Sequence, residues 1–265
     1  MKTRIAFAIA GALACGAANA TPVPFDFGLL AADGYSPLLA SGITTYGTNT
    51  DLNFTNSALG TSAVTISATG LNNPVRNWAL DQRSTASAGS DPDERGLGLT
   101  SLRDITPTPR EIAKDEFVVL DYTDVLAKGG SILSITLGSV QSDSNPFSCE
   151  GFELFASMSK PTTYAGALGS TFVAHSGSSS SCGPEAVTVD LSSFSNYKYF
   201  MVTALLDNNP WGIPVHSPDN DTVIETTVVD VPQDNHNPPP VPEPATIAIF
   251  GVALAGLGRL RKRRA

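Results

Sequence analysis

Six glutamates, Glu111, Glu116, Glu150, Glu153, Glu185 and Glu225, could supply the paired carboxylates of glycoside hydrolysis, but no motif selects a pair among them. Of the three histidines, His236 falls in a proline-rich stretch, which leaves His175 and His216 as candidate bases. Serine is abundant, yet there is no G-x-S-x-G elbow and no S-x-x-K set of the β-lactamase kind. A Ser-His-Asp arrangement depends on proximity in space, so His175, beside a serine-rich loop, reads first as a polar residue at a strand end. The chain thus has candidates for catalysis without a signature of it, and a non-enzymatic protein is expected, with a secreted hydrolase as the alternative.

Binding chemistry has more material. Asp91/Asp93/Glu94, Asp143/Asn145, Asp207/Asn208/Asn209 and Asp219/Asn220/Asp221 cluster oxygen donors of the kind calcium prefers. None follows the twelve-residue EF-hand loop, and Asp and Asn are also ordinary turn formers, so solvated turns are the simpler reading. Glu111 and Glu116 flank a turn before a strand and join Asp121, Asp219 and Asp221 as calcium candidates; no other cofactor is suggested. Trp211, within Pro210-Trp211-Gly212, and Trp78, after Asn77, are the two tryptophans. An indole in a loop can offer a flat apolar face to a sugar ring, which makes both glycan-binding candidates, although capping of a core is the commoner fate of tryptophan.

The elements that must position these residues are strands. Val64, Ile66 and Ala68 alternate with Thr65 and Ser67, and Leu133, Ile135 and Leu137 with Ser134 and Thr136. Val187, Val189 and Leu191 alternate with Thr188 and Asp190, and further β-rich runs cover 116–122, 151–156, 171–174, 197–206 and 222–229. Stretches 84–95 and 175–184 read as polar loops, and no long amphipathic helix pattern occurs. About eight strands without βαβ alternation predict an all-β fold, an antiparallel β-sandwich that is jelly-roll-like. It occupies residues 21–231 as one domain.

The two ends read as targeting segments. Lys2 and Arg4, the apolar run Ile5–Leu13 and Ala18-Asn19-Ala20 compose a signal peptide, residues 1–20, cut before Thr21 by signal peptidase. A lipoprotein signal ending at Cys15 is the weaker alternative, because Leu13 stands one place too close to the cysteine. At the other end, a Pro-rich linker, residues 232–244, leads into an apolar run at 245–258 and a basic tail at 259–265. Fourteen residues at ~1.5 Å rise reach only ~21 Å across a hydrocarbon core of ~30 Å, so the expected transmembrane helix is short. Arg259, Arg261, Lys262, Arg263 and Arg264 should anchor its end in the cytoplasm. Without these end segments the body has nine cations against twenty-four anions, a net charge of −15, which excludes nucleic acid as a partner. Cys15 leaves with the signal peptide, and the remaining pair, Cys149 and Cys182, is expected to form a disulfide in an oxidising compartment.

Pro242-Glu243-Pro244, the apolar run with Gly251, Gly256 and Gly258, and the terminal Arg-Leu-Arg-Lys-Arg-Arg together resemble the PEP-CTERM sorting signal of Gram-negative bacteria. The resemblance covers about a tenth of the chain. It implies that an exosortase, a membrane cysteine transpeptidase, recognises the tripeptide and removes the tail. It further implies delivery to the cell surface or extracellular matrix, usually alongside exopolysaccharide. A second resemblance spans about fifty residues. Asp93-Glu94-Arg95-Gly96-Leu97-Gly98-Leu99, Arg110-Glu111-Ile112, the run 116–122 and the run 131–137 are similar to the body of many PEP-CTERM surface proteins, with Leu99 and Ala113 departing from the pattern. It implies a β-sandwich like those of carbohydrate-binding modules and transfers no ligand.

Overall fold

The computed structural model describes residues 20–35, 43–56, 63–72, 78–83, 95–101, 111–113, 116–138, 151–175, 186–204 and 221–232. All belong to one compact unit, Asn19–Gln233. They form strands β1 (Ala20–Asp26), β2 (Ile43–Thr45), β3 (Leu52–Asn56), β4 (Val64–Asn72), β5 (Trp78–Arg83), β6 (Gly96–Ser101), β7 (Ile112–Ala113), β8 (Glu116–Asp121), β9 (Ser131–Gly138), β10 (Phe152–Ser157), β11 (Thr171–His175), β12 (Val187–Asp190), β13 (Tyr199–Ala204) and β14 (Asp221–Pro232). Two one-turn helices, α1 (Thr123–Ala127) and α2 (Tyr164–Leu168), and a 3₁₀ turn at Ser192–Phe194 complete the described elements.

The strands make two antiparallel sheets. The first has the order β12-β9-β14-β6-β5-β2, with β1 and β7 also paired to β14; the second has the order β11-β10-β13-β8-β4-β3. Alternation explains the layering, because successive side chains of a strand point to opposite faces. Val118 and Leu120, Leu154 and Ala156, and Phe200 and Val202 face inward and meet Leu97, Leu99, Ile135, Leu137, Ile224 and Val229 of the other sheet in one cluster. The opposite parity of the second sheet, Phe117, Val119, Phe155 and Met201, forms a smaller cluster that includes Ala167 of α2. This face is apolar because a helical turn covers it.

The predicted β-runs reappear as β4, β8, β9, β10, β11, β12, β13 and β14. One alternation slips: Ile132, not Leu133, is buried ahead of Ile135. The cause is a bulge, since Val228 pairs with Ser134 while Val229 pairs with Ile132, so Leu133 has no partner across the ladder. Four of the strands that the sequence pattern does not reveal are short or locally unfavourable. β2 and β7 have three and two residues, β6 contains two glycines, and β1 carries Pro22 and Pro24. Prolines two apart place their donor-less nitrogens on the same side of a strand, here the side away from β14, where they blunt the free edge of β1. The Pro24 carbonyl on that edge accepts a hydrogen bond from Asn56 Nδ2 at 3.1 Å. β14 also runs three residues beyond its expected end, so Pro232 closes the sandwich rather than opening the linker.

Buried polar groups are tied to the core by specific bonds. Gln82 Nε2 donates to the carbonyls of Phe27 at 2.6 Å and Leu30 at 2.8 Å, and its Oε1 accepts from the Tyr46 hydroxyl. This amide pins the turn after β1 to the first sheet, and burial pushes the Tyr46 phenol up to about 12. Tyr122, fully buried, donates to Thr227 Oγ1 at 2.8 Å and stacks edge-on against Phe200 at 5.6 Å.

Candidate functional site

A groove of about 260 Å³ opens where β4 runs past the end of β3. It is lined by Thr69, Gly70 and Leu71 of β4, by Trp78 at the start of β5, and by the turn Lys160–Tyr164. Trp78 is its floor. The indole lies directly over Gly70, where an added Cβ would stand 2.6 Å from Trp78 Cε3 and 2.5 Å from Leu99 Cδ1. With 8% of its surface exposed, Trp78 belongs chiefly to the inter-sheet core and offers the groove a limited part of its ring. The wall is Tyr164, half-buried and tilted against Phe117 at 5.1 Å. Thr163 caps α2, its hydroxyl accepting from Gly166 N–H at 3.1 Å, while Thr162 is exposed at the rim. Lys160 is held by Asp51 at 3.1 Å. An apolar aromatic floor and wall with hydroxyls at the rim suit a small, flat, hydroxylated ligand. Of these residues only Trp78 is legible as a binding candidate in the sequence. Thr162, Thr163 and Tyr164 carry no motif, and only the docking of α2 brings them to β4.

The described calcium candidates Glu111, Glu116 and Asp121 each have a partner within the protein. Glu111 accepts from Arg83 Nη1 at 2.9 Å, with the two side chains only 1% and 8% exposed. Glu116 Oε2 accepts from Ala113 N–H at 3.2 Å, and Asp121 Oδ1 from Thr123 N–H at 2.8 Å. Glu116 and Asp121 stand at opposite ends of β8, about 17 Å apart at strand rise, too far to share an ion. The backbone of Asp221 pairs with that of Ala113 in the β14–β7 ladder. Among the described residues no group of three His, Cys, Asp or Glu side chains is placed to hold a metal ion.

Two of the candidate catalytic residues are cross-strand neighbours. Glu153 of β10 is the cross-strand partner of His175 of β11 and of Thr203 of β13, and partners in an antiparallel pair project to the same face. Glu153 is buried, and loss of water pushes its carboxyl up to about 7. His175 packs against the Phe172 ring at 5.7 Å. This pair lies apart from the groove, because β13 and β8 separate β10 from β4, about 14 Å at ordinary strand spacing. Ser157 and Lys160 also stand at S-x-x-K spacing, but Ser157 Oγ donates to the Ser159 carbonyl at 2.7 Å and Lys160 pairs with Asp51. These bonds hold Ser157 within its own turn and direct Lys160 to Asp51.

Pro242, Glu243, Pro244, Arg259, Arg261, Lys262, Arg263, Arg264, Cys149, Cys182, Trp211, Asp219 and the apolar run at 245–258 lie outside the described residues. Among the described residues no helix is long and apolar enough to cross a membrane. Comparison with protein families matches residues 240–264 to the PEP-CTERM protein-sorting motif. A search of the curated proteins finds no match.

Proposed function

We propose that this is an exported, non-enzymatic component of the cell surface or extracellular matrix of a Gram-negative bacterium, associated with exopolysaccharide. The observation that carries the reading is the PEP-CTERM protein-sorting motif at residues 240–264, which marks an exosortase substrate directed to the cell envelope. Its chemistry is that of an address. The apolar run at 245–258 halts in the membrane, the five cations hold the far end in the cytoplasm, and the linker presents Pro242-Glu243-Pro244 outside. Signal peptidase removes residues 1–20, and Cys149 and Cys182 close a disulfide that stabilises the body by about 3–4 kcal/mol. The body reads as a jelly roll: β8 and β9 cross from sheet to sheet, β13 and β14 do the same, and the two pairs lie side by side, β8 on β13 and β9 on β14. Intact mass of the surface form tests the whole reading. A chain beginning at Thr21, lacking the basic tail and lighter by two hydrogens supports it, whereas a full-length cytosolic protein refutes it.

One observation favours a second reading, a carbohydrate-binding module. The groove at Trp78 and Tyr164 has the apolar floor and hydroxyl rim that a pyranose ring needs. With a body charge of −15, a neutral or basic glycan suits it better than an acidic one. Retention on the host's own polysaccharide, compared between the native chain and Tyr164→Ala, with and without chelator, decides it. Retention lost in the variant assigns the groove, sensitivity to chelator adds calcium, and no retention of the native chain removes the reading. The hydrolase reading has the Glu153–His175 pair in its favour. Turnover of glycosidase or esterase substrates that vanishes in Glu153→Gln would establish it over the non-enzymatic one.

A further inference from the structure

On one side β4 outruns its neighbour. The β3 ladder stops at Leu52 opposite Ala68, whereas β8 stays paired with β4 from Ser67 to Asn72. Main-chain groups along an antiparallel strand turn alternately to one neighbour and to the other. Two bonds on the far side of β3 fix the phase. The Asn53 carbonyl accepts from Asp33 N–H at 2.7 Å, and Thr55 N–H donates to Asp33 Oδ1 at 3.2 Å. Asn53 and Thr55 thus turn away from β4, and Leu52, Phe54 and Asn56 turn toward Ala68, Ile66 and Val64. Continuing that alternation, Gly70 directs its N–H and carbonyl to the side that β3 has left. Among the described residues no other residue bonds to them there.

That side is the groove, which Gly70 lines. Trp78 belongs to the cluster between the sheets, and Tyr164 packs on the cluster of the outer face, so the two rings bracket the edge of β4 from opposite sides. Gly70 has no side chain to stand between its main chain and the indole. A flat ring entering between the aromatic faces therefore meets the strand edge with its own rim. In an extended residue the amide nitrogen and the carbonyl oxygen lie only ~2.8 Å apart and point the same way. Neighbouring hydroxyls of a pyranose, held gauche by the ring, have nearly that separation. We propose that the Gly70 main chain clamps the rim of a neutral pyranose through two vicinal hydroxyls, one donating to the carbonyl and the next accepting from the N–H.

The surroundings select that ligand. Lys160 is compensated by Asp51 at 3.1 Å, so the rim presents no net charge to an acidic or basic sugar. A volume of about 260 Å³ lies below the ~300–1,000 Å³ of a drug-sized pocket and suits one sugar residue. A peptide strand would use the same edge, but only Gly70 and Asn72 turn toward it, and Asp51 and Leu52 stand in the line along which that strand would continue. The assignment rests on the carbohydrate reading of this groove and adds which part of the sugar is held.

The test titrates the full-length chain in detergent micelles with methyl glycosides of glucose, galactose and mannose, and with the 3-deoxy and 6-deoxy forms of each. The Gly70 amide proton, followed by NMR, is the local readout, and Tyr164→Ala is the control for place. The 3-deoxy form breaks both the 2,3 and the 3,4 hydroxyl pairs, whereas the 6-deoxy form keeps them. Binding at least about tenfold weaker for the 3-deoxy form than for the 6-deoxy form, with the Gly70 resonance moved by the second and not by the first, supports the clamp. Equal affinity of the two deoxy forms overturns it and leaves the carbohydrate reading of the groove intact. Binding unchanged in Tyr164→Ala, or no binding of any glycoside to the native chain, refutes that reading and the clamp together. A blocked trivaline peptide that moves Gly70 and outcompetes every glycoside gives the edge to a peptide partner and overturns the proposal.

Discussion

Arg83 and Glu153 are buried to similar depth, one in each sheet, and they meet the cost of burial differently. Arg83 has a carboxylate, Glu111, at 2.9 Å, and both side chains are almost wholly withdrawn from water. Glu153 has a threonine and a histidine as cross-strand neighbours, and desolvation raises its carboxyl to about 7. A buried charge is retained where a counter-charge is fixed beside it, and otherwise the group moves toward neutrality. The first sheet thus holds an ion pair, and the second holds an acid poised between its two forms near neutral pH.

The largest test of this contrast is to break the pair. Arg83→Ala leaves Glu111 buried without its guanidinium and should cost about 3–5 kcal/mol in chemical denaturation. The double change Arg83→Met with Glu111→Leu should recover most of that loss, since an apolar pair of similar volume escapes the desolvation penalty. A single variant as stable as the native chain would show that the pair is not desolvated.

Steric strain gives the next effect and separates charge from packing. Gly70→Ala drives a methyl group into Trp78 and Leu99 and should cost about 1–3 kcal/mol at every pH, read as a fall in denaturation midpoint.

The Glu153 carboxyl should respond to pH with a definite sign. Its folded pKa lies above its unfolded value, so between pH 4.5 and about 7 the folded state binds more protons and stability falls as pH rises. Below pH 4.5 both states are protonated and Glu153 contributes nothing. Glu153→Gln should therefore match the native chain at pH 4 and gain about 1 kcal/mol by pH 8, an amount limited by water reaching the site. Thermal melts across that range check it, and a gain that is the same at both ends would discard the titration. The smallest effect belongs to charges left in water. Lys160→Ala, which removes a partly exposed partner of Asp51, should change stability by less than about 1 kcal/mol.

How much of this was readable beforehand follows from which interactions are local. Alternation along Val187–Asp190, and the β-branched and aromatic run at Glu116–Asp121, are properties of consecutive residues, so those strands were legible without any partner. β1 was not, because Pro22 and Pro24 argue against a strand until β14 is known to lie on its other side. Glu111 and Glu116 read as ligands in sequence, since nothing in their neighbourhood reveals that Arg83, 28 residues away, pairs with the first. Trp78 was visible as an aromatic candidate, while Tyr164 and its turn were not, because a wall exists only once α2 is seated.

Composition, strand alternation and the C-terminal motif, each a matter of residue type and short spacing, determined by themselves that this is an acidic, all-β, envelope-directed protein. Tertiary structure alone decided that the first and last strands are partners, that the buried Arg83 is paired with Glu111 while Glu153 has no ion pair among the described residues, and that a groove forms beside Gly70. The reason is distance along the chain. Each of these contacts joins residues far apart in sequence, and no local pattern records which distant segment will arrive beside it.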